Sequence, residues 1–309
     1  MSIALTVFNQ IVIMFFIILV GIICYKIKFI DKDTNRRLSD IVLMLINPLV
    51  IFISYQRTFD SSLLYGLLIS LLLAVITHFF GILVSVLVLR RRKQEADVAI
   101  ERFAVVYSNC GFIGIPLVNG IFGGEGVFYL TAYMTIFNLF VWTHGMITVS
   151  GKSDRKSILK ALVSPSVIAT VLGFLFFICR LILPDIINQS LKYMGDMNTP
   201  MAMLVAGVTI AQTDIRQLVR KFRIYYIAFL KLLFVPVAML LLFHLFDIPR
   251  IVLLTSVLAA ACPVGVTINL FAIRFNKNYF YASELFTVTT VLSLITIPMI
   301  MLLANIIIP

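Results

Sequence analysis

Two glycine- and proline-rich stretches hold the residues best suited to binding a ligand. Residues 108–116 read SNCGFIGIP, and residues 260–269 read AACPVGVTIN. Proline lacks a backbone N–H and its ring clashes with the carbonyl four residues earlier, whereas glycine allows another backbone to approach. Each stretch therefore predicts a helix interruption whose free N–H groups and positive dipole end attract an anion. The predicted substrate-binding residues here are Asn109, Cys110, Gly111, Gly114, Ile115, Pro116, Pro263, Val264 and Gly265.

Four amide side chains in apolar segments have two interpretations each. Asn109 either contacts the substrate or caps the interrupted helix. Asn47, beside Pro48, either faces the same site or caps a second helix break, and Asn198 has the same two alternatives. Asn138 either borders the site or forms a hydrogen bond between helices. We include Asn47 and Asn138 among the candidate binding residues.

Polar groups for coupling are few. Lys231 is the only cation inside an apolar segment, and it is a candidate counter-charge unless its long stem carries the ammonium to the membrane interface. His78 is a candidate titrating group, although packing in the interior is the commoner role of such a histidine. No Asp or Glu lies near the centre of a segment, so a proton relay lacks an acidic candidate. Thr267 and Asn269, with unwound carbonyls, are candidates for a cation site.

Residue patterns of enzymes are absent from the sequence. There is no GxSxG or HExxH motif, and the three histidines are far apart. The four cysteines show neither metal-ligand spacing nor a disulfide framework. We therefore predict no enzymatic activity, no metal and no cofactor.

The elements that must position these residues are membrane-spanning helices. Hydrophobic residues make up 61% of the 309 positions and charged residues 13%, which is far from the composition of a soluble domain. Ten segments are long and apolar enough to cross a bilayer. Their predicted limits are 4–25, 38–55, 62–89, 99–122, 126–149, 158–182, 191–212, 224–246, 250–273 and 283–307.

The basic residues predict the orientation of these segments. The odd-numbered loops hold most of the 25 lysine and arginine residues, whereas the even-numbered loops hold only Arg57, Arg180, Lys192 and Arg250. Cytoplasmic loops are enriched in basic residues, so we predict cytoplasmic odd loops, external termini and a location in the cell (inner) membrane. The net charge of +11 reflects this bias. Its distribution over short loops indicates contact with the lipid bilayer and no nucleic-acid partner.

Helix-breaking residues recur at matching places in the two halves of the chain. INPLVIF around Pro48 corresponds to MNTPMAML around Pro200, and the stretch ending at Pro116 corresponds to the one containing Pro263. Because five spans per half is an odd number, the second half enters the membrane from the opposite side. We predict an all-α integral membrane protein of ten transmembrane helices, arranged as two inverted five-helix repeats in which the proline-broken helices 4 and 9 cross. The repeats are residues 1–149 and 158–309, joined by a cytoplasmic linker at 150–157.

Several of these stretches resemble the auxin efflux carriers, the plant PIN-formed proteins and their bacterial relatives. NCGFIGIP resembles their fourth-span motif, AACPVGVTINLFAIRFN their ninth span, FLKLLFVP their eighth and YASELFTVTTVLSLITIP their tenth. The resemblance implies the inverted-repeat fold of bile-acid:sodium symporters, with spans 1, 2, 6 and 7 as a scaffold and the others as the transporting unit. It also implies small carboxylate substrates, auxin-like or malate- and malonate-like, and a homodimer through the scaffold helices.

We therefore predict a secondary transporter of small organic anions that works by alternating access. The membrane potential drives a carboxylate out of the negative cell interior by about 2.3 kcal/mol per charge per 100 mV. Efflux without a coupling ion thus needs the fewest functional groups. The alternatives are a sodium- or proton-coupled symporter and a membrane protein that senses the substrate without transporting it.

Overall fold

Helices make up nearly all of the chain that the computed structural model describes, which is residues 3–89, 95–151, 163–212 and 221–308. Most of the predicted linker at 150–157 lies outside these residues. These described residues form twelve helices: α1 Ile3–Lys26, α2 Lys32–Ser54, α3 Ser61–Val88, α4 Glu95–Val106, α5 Cys110–Ser150, α6 Pro165–Ile178, α7 Asp185–Asp196, α8 Asn198–Ala211, α9 Phe222–Phe243, α10 Arg250–Ala261, α11 Thr267–Arg274 and α12 Tyr279–Ile307. Within the described ranges, β-pairing is limited to one bridge between Ser108 and Val264.

Six helices of the described residues are long and apolar enough to cross a membrane: α1, α2, α3, α5, α9 and α12. Many of their exposed side chains are large and apolar, such as Phe16, Leu72 and Ile295, as contact with lipid requires. These helices confirm the all-α, multi-pass membrane class. The ten-span, inverted-repeat arrangement remains a prediction, because several predicted spans are divided into shorter helices, such as α7 with α8 and α10 with α11.

Three prolines are accommodated by widened helical turns. Each follows a five-residue π-helical turn that ends two positions earlier: Val42–Ile46 before Pro48, Cys110–Gly114 before Pro116, and Leu230–Phe234 before Pro236. A π-turn moves the carbonyl that the proline ring would otherwise strike, so the helix continues. Pro116 therefore lies in the first turn of a regular helical section and does not break it, contrary to the sequence prediction. The interruption lies upstream, between Val106 and Cys110.

A kink at Gly123 divides α5 into two parts. This residue has φ 63° and ψ −157°, a backbone conformation that is essentially restricted to glycine. The first part of α5 corresponds to the second half of predicted span 4, and the second part corresponds to span 5. The kinked helix α5 thus covers the end of predicted span 4 and the whole of predicted span 5.

The helices pack in two groups. The first group is α1, α2, α6, α7 and α8; the second is α3, α4, α5, α9, α10, α11 and α12. In the first group, α1 and α8 approach so closely that a Cβ atom at Gly21 would lie 2.2 Å from the Leu204 carbonyl oxygen. Small residues permit such contacts between membrane helices. The first group contains the spans that the resemblance assigns to a scaffold, and α5 and α12 of the second group pack against it.

Candidate substrate-binding site

Two interrupted helices meet in the protein interior. The non-helical residues between α4 and α5 run antiparallel to those between α10 and α11. The Asn109 N–H donates to the Pro263 carbonyl at 2.7 Å, and the Gly265 N–H donates to the Tyr107 carbonyl at 3.0 Å. We call residues 107–109 and 262–266 together the crossing. Backbone groups that the helix interruptions release thus find partners in each other, as the interior of a membrane protein requires.

Small side chains allow this close approach. A Cβ atom at Gly265 would lie 3.2 Å from the Ser108 carbonyl oxygen, and one at Gly114 would lie 3.4 Å from Sγ of Cys262. The neighbouring helix α12 adds a further contact, because the Val264 N–H donates to Oγ1 of Thr289 at 3.1 Å. The structure therefore brings the two stretches into contact, and it adds Thr289, which the sequence analysis did not identify.

Asn109 has a buried donor without a partner. The residue is 5% exposed, and Nδ2 has no hydrogen-bond partner among the residues that the structure describes. The side chain does not cap the following helix; the Asn109 backbone carbonyl accepts the N–H groups of Ile113 and Gly114 instead. The capping interpretation is therefore wrong for this structure. A buried N–H group without an acceptor is costly, and such a group marks a place where a ligand could supply one.

Lys231 is buried against the crossing. Its side chain is 1% exposed, and Nζ donates to Oγ of Ser108 at 2.5 Å and to the Ala260 carbonyl at 3.2 Å. Snorkelling to the membrane interface is therefore ruled out in this structure. Ala260 lies in the last turn of α10, where the helix dipole is negative. The ion pairs found among the described residues do not include Lys231, so no carboxylate balances its charge.

Asn47 and Asn198 form a pair that reaches the crossing region. Nδ2 of Asn198 donates to Oδ1 of Asn47, and Nδ2 of Asn47 donates to the Gly111 carbonyl at 3.3 Å. Neither amide caps a helix break, so that alternative is wrong for both residues. The pair connects α2 and α8 of the first helix group with the π-turn of α5 in the second. Asn47 thus contacts the predicted stretch at the Gly111 carbonyl, and it does not lie in the crossing itself.

Two other candidates form no hydrogen bond with the crossing within the described ranges, although the ring centroid of His78 lies 6.1 Å from that of Tyr107. His78 is 1% exposed, and its Nδ1 lies 2.7 Å from the Ala74 carbonyl. Its ring packs among aromatic side chains, with the centroid of Phe140 at 5.2 Å and that of Tyr133 at 5.4 Å. This environment favours the packing interpretation over a coupling role. Asn138 is half-buried in α5, and the structure shows no hydrogen bond from its side chain to the crossing.

The remaining candidates, Cys110, Thr267 and Asn269, follow the two non-helical segments of the crossing in the sequence. Cys110 and Cys262 are buried free thiols, one from each interrupted helix. Thr267 begins α11, and the buried Oδ1 of Asn269 has no hydrogen-bond partner. Within the described ranges, no three His, Cys, Asp or Glu side chains form a group suited to a metal ion. A cation site at Thr267 and Asn269 remains a prediction.

A buried carboxylate was missed by the sequence analysis. Glu101 in α4 is 4% exposed and accepts two hydrogen bonds from Arg223 of α9, at 2.8 and 2.5 Å. The Tyr281 hydroxyl donates to the same carboxylate at 2.9 Å. The available signal was an acidic residue inside a predicted span, but its partners lie far away in the sequence. This cluster joins α4, α9 and α12 within the second helix group.

Two polar cavities flank the crossing. One of about 420 Å³, here called the external cavity, lies on the side predicted to be external; its polar lining residues are Ser54, Arg57, Asn119, Lys192, Asp196, Asn198 and Thr199. The other, of about 360 Å³ and here called the internal cavity, has the polar lining residues Ser85, Arg102, His144, Thr148 and Lys277. Asn109 and Lys231 line neither cavity.

Hydrogen bonds run from each cavity towards the crossing. On the external side, Asn198 lines the cavity and reaches Gly111 through Asn47. On the internal side, His144 lines the cavity, and its Nδ1 lies 2.9 Å from the hydroxyl of Tyr107, whose carbonyl accepts the Gly265 N–H. Each cavity is thus linked by hydrogen bonds to a residue in the crossing or next to it.

Comparisons with known proteins show the family of this chain. The family described as "Membrane transport protein" matches residues 6–157 and 151–301. An uncharacterized transporter of Methanothermobacter thermautotrophicus is 24% identical over 92% of this chain and 93% of its own length. An uncharacterized transporter of Methanocaldococcus jannaschii is 25% identical over 66% of this chain and 68% of its own length. The chain therefore belongs to the membrane transport protein family, which includes the auxin efflux carriers that its crossing motifs resemble.

Proposed function

We propose that this protein is a secondary transporter of small organic anions that binds its substrate at the crossing. The proposal depends chiefly on the unpaired Nδ2 of Asn109, a buried donor next to Ser108, whose hydroxyl contacts the buried ammonium of Lys231. A donor without an acceptor and a cation without a carboxylate are complementary to an anion. A carboxylate would supply the missing acceptor and the missing negative charge together.

The two helix groups suggest how access alternates. The external cavity is lined by residues of α2, α7 and α8 from the first group and by residues of α5 from the second. The internal cavity is lined by residues of α3, α4 and α5, all from the second group, with Lys277 between α11 and α12. Movement of the second group against the first would open the crossing to one cavity and close it to the other.

The position of Lys231 favours transport without a coupling cation. Its ammonium already lies beside the Ser108 hydroxyl and the carbonyl end of α10. The helix dipole would otherwise favour a bound cation at this position. A loaded transporting unit would then carry the substrate's negative charge together with a resident positive one. The empty unit would carry the positive charge alone, and a negative cell interior would draw it inward. The cycle moves net negative charge outward and is driven by the membrane potential.

Flux measurements in proteoliposomes test this proposal. Uptake of radiolabelled malonate and benzoate should follow an imposed potassium–valinomycin potential when no sodium or pH gradient is present. Reversing the potential should reverse the direction of net flux. Strict dependence on a sodium or proton gradient at fixed potential would support the symporter instead. Binding of either anion without any flux would support the sensor.

We also propose that both termini and the even-numbered loops are external. Single cysteines at Ser61 and Ser153, placed in a background without the native cysteines, should differ in labelling by an impermeant thiol reagent on whole cells. Ser61 begins α3, and Ser153 lies outside the described residues, in the predicted cytoplasmic linker. We expect the cysteine at 61 to react and the one at 153 to react only after the cells are opened. The reverse pattern would contradict the orientation.

A further inference from the structure

The external cavity carries cations on the side of the protein that has few of them. Arg57 and Lys192, two of the four basic residues in the even-numbered loops, both line it. Asp196 is the only acidic residue in its lining, so the lining has one net positive charge. The apolar part of the lining includes Val50, Ile53 and Ile115. A ligand that fits this lining has one negative charge and an apolar body.

The Arg57 guanidinium is held in place without an ion-pair partner. Its Nε donates to the Ser54 carbonyl at 2.8 Å, and its Cζ lies 5.0 Å from the ring centroid of Phe128. A Cβ atom at Gly124 would lie 3.3 Å from its Nη2, so glycine leaves room beside the guanidinium. Burial lowers the pKa of Arg57, and the charge of Glu125 opposes this shift. The ion pairs of the described residues do not include Arg57.

We propose that the external cavity is a second anion site, separate from the crossing, which binds a monocarboxylate with an apolar body through Arg57. One carboxylate can accept two parallel hydrogen bonds from a guanidinium, and the fixed Nε leaves the Nη groups for this purpose. The apolar part of the ligand then lies against Val50, Ile53 and Ile115, which excludes water from the pair. Lys192 at the rim attracts anions, while Asp196 disfavours a second negative charge.

The cavity position gives this site a role in the transport cycle. Its wall combines α2, α7 and α8 of the first helix group with α5 of the second, so a bound anion contacts both groups. The hydrogen-bonded pair of Asn198 and Asn47 separates it from Gly111 and the crossing. An anion that arrives from outside therefore meets Arg57 before Asn109. An anion that leaves after transport meets Asn109 first and Arg57 second. The proposal adds a site to the proposed function, and each can fail without the other.

Benzoate binding to the purified full-length protein, measured by isothermal titration calorimetry, tests the site. Arg57→Gln should weaken the affinity for benzoate about tenfold or more, because it removes a charge-assisted hydrogen-bond pair. Arg57→Lys, which keeps the charge, should have an intermediate affinity. Arg180→Gln is the matched control: its guanidinium also stacks on an aromatic ring, 5.2 Å from the centroid of Phe59, but it does not line the cavity. It should bind benzoate as the unchanged protein does.

Ligand chemistry separates the possible outcomes. Benzamide, which is neutral, and acetate, which lacks the apolar body, should bind more weakly than benzoate, as should the dianion malonate. Equal benzoate affinity in Arg57→Gln and in the unchanged protein would overturn the external site, even with binding lost in Asn109→Ala; that result would leave the proposed function intact. Loss of benzoate affinity in Arg57→Gln with unchanged affinity in Arg180→Gln would support the external site, whether or not Asn109→Ala also binds benzoate more weakly. Absence of any benzoate binding would also overturn it.

Discussion

Lys231→Met is expected to reduce anion flux by about 100-fold or more while the protein stays folded. The expected loss corresponds to roughly 3 kcal/mol, which is typical for removing one member of a buried charge interaction. Among the described residues, the ammonium has no carboxylate partner, and it donates hydrogen bonds to the Ser108 hydroxyl and the Ala260 carbonyl. After substitution, Ser108 can still donate to Ala260, since its Oγ lies 3.3 Å from that carbonyl. No buried acceptor is left without a donor.

Stability and flux should therefore change in different directions. Replacing a buried charge with an apolar side chain of similar length is often neutral or stabilising, so the melting temperature of Lys231→Met should be equal or higher. Lys221→Met is the control for a lost lysine: Lys221 is an exposed partner of Glu284 at 2.5 Å and should be dispensable for flux. The measurements are melting temperature and potential-driven flux for both variants. Unimpaired flux in Lys231→Met would show that the resident charge plays no part in transport.

The sequence predicted the long uniform helices well. Predicted segments 4–25, 62–89 and 283–307 agree closely with α1, α3 and α12, because continuous apolar runs of this length permit few alternatives. Shorter or polar elements were predicted less well. Helix α2 begins at Lys32 and not at 38, because its first turn is polar and is capped by Asp31, whose Oδ1 accepts the Thr34 N–H at 2.7 Å. Hydropathy contains no signal for such a turn.

The location of the helix break could not be predicted from the prolines alone. Proline predicts local disruption, but a π-turn absorbs it at Pro116, and the interruption lies at the crossing. The hydrogen bond between Asn109 and Pro263 stabilises that interruption, and because these residues lie about half the chain apart, only the tertiary fold reveals the partner. Ser108 lay inside the stretch singled out in the sequence, yet its role depends on Lys231 in α9. Residue types identified the region, whereas contacts between the two halves determined the roles.

Asn109 provides the second large expected effect. Asn109→Ala should weaken substrate binding by about 1–3 kcal/mol, which is roughly 5- to 150-fold and typical of a lost hydrogen bond to a charged group. Because Nδ2 is unpaired in the structure, alanine removes a buried polar group that costs stability. The melting temperature of the ligand-free variant should therefore be unchanged or higher. Asn109→Asp should be more severe, since a carboxylate of similar shape would repel the anion, and we expect no measurable binding.

Asn47→Ala is the matched control, because it removes an amide that the structure shows to be fully engaged. Asn47 accepts from Asn198 and donates to the Gly111 carbonyl, so its loss should lower the melting temperature. Its effect on the affinity of the folded fraction should be smaller than that of Asn109→Ala. Calorimetry and thermal denaturation of the three variants therefore distinguish a ligand contact from a structural one. Normal affinity in both Asn109 variants would place the substrate elsewhere, because a crossing site cannot bind an anion equally well beside an alanine and beside a carboxylate.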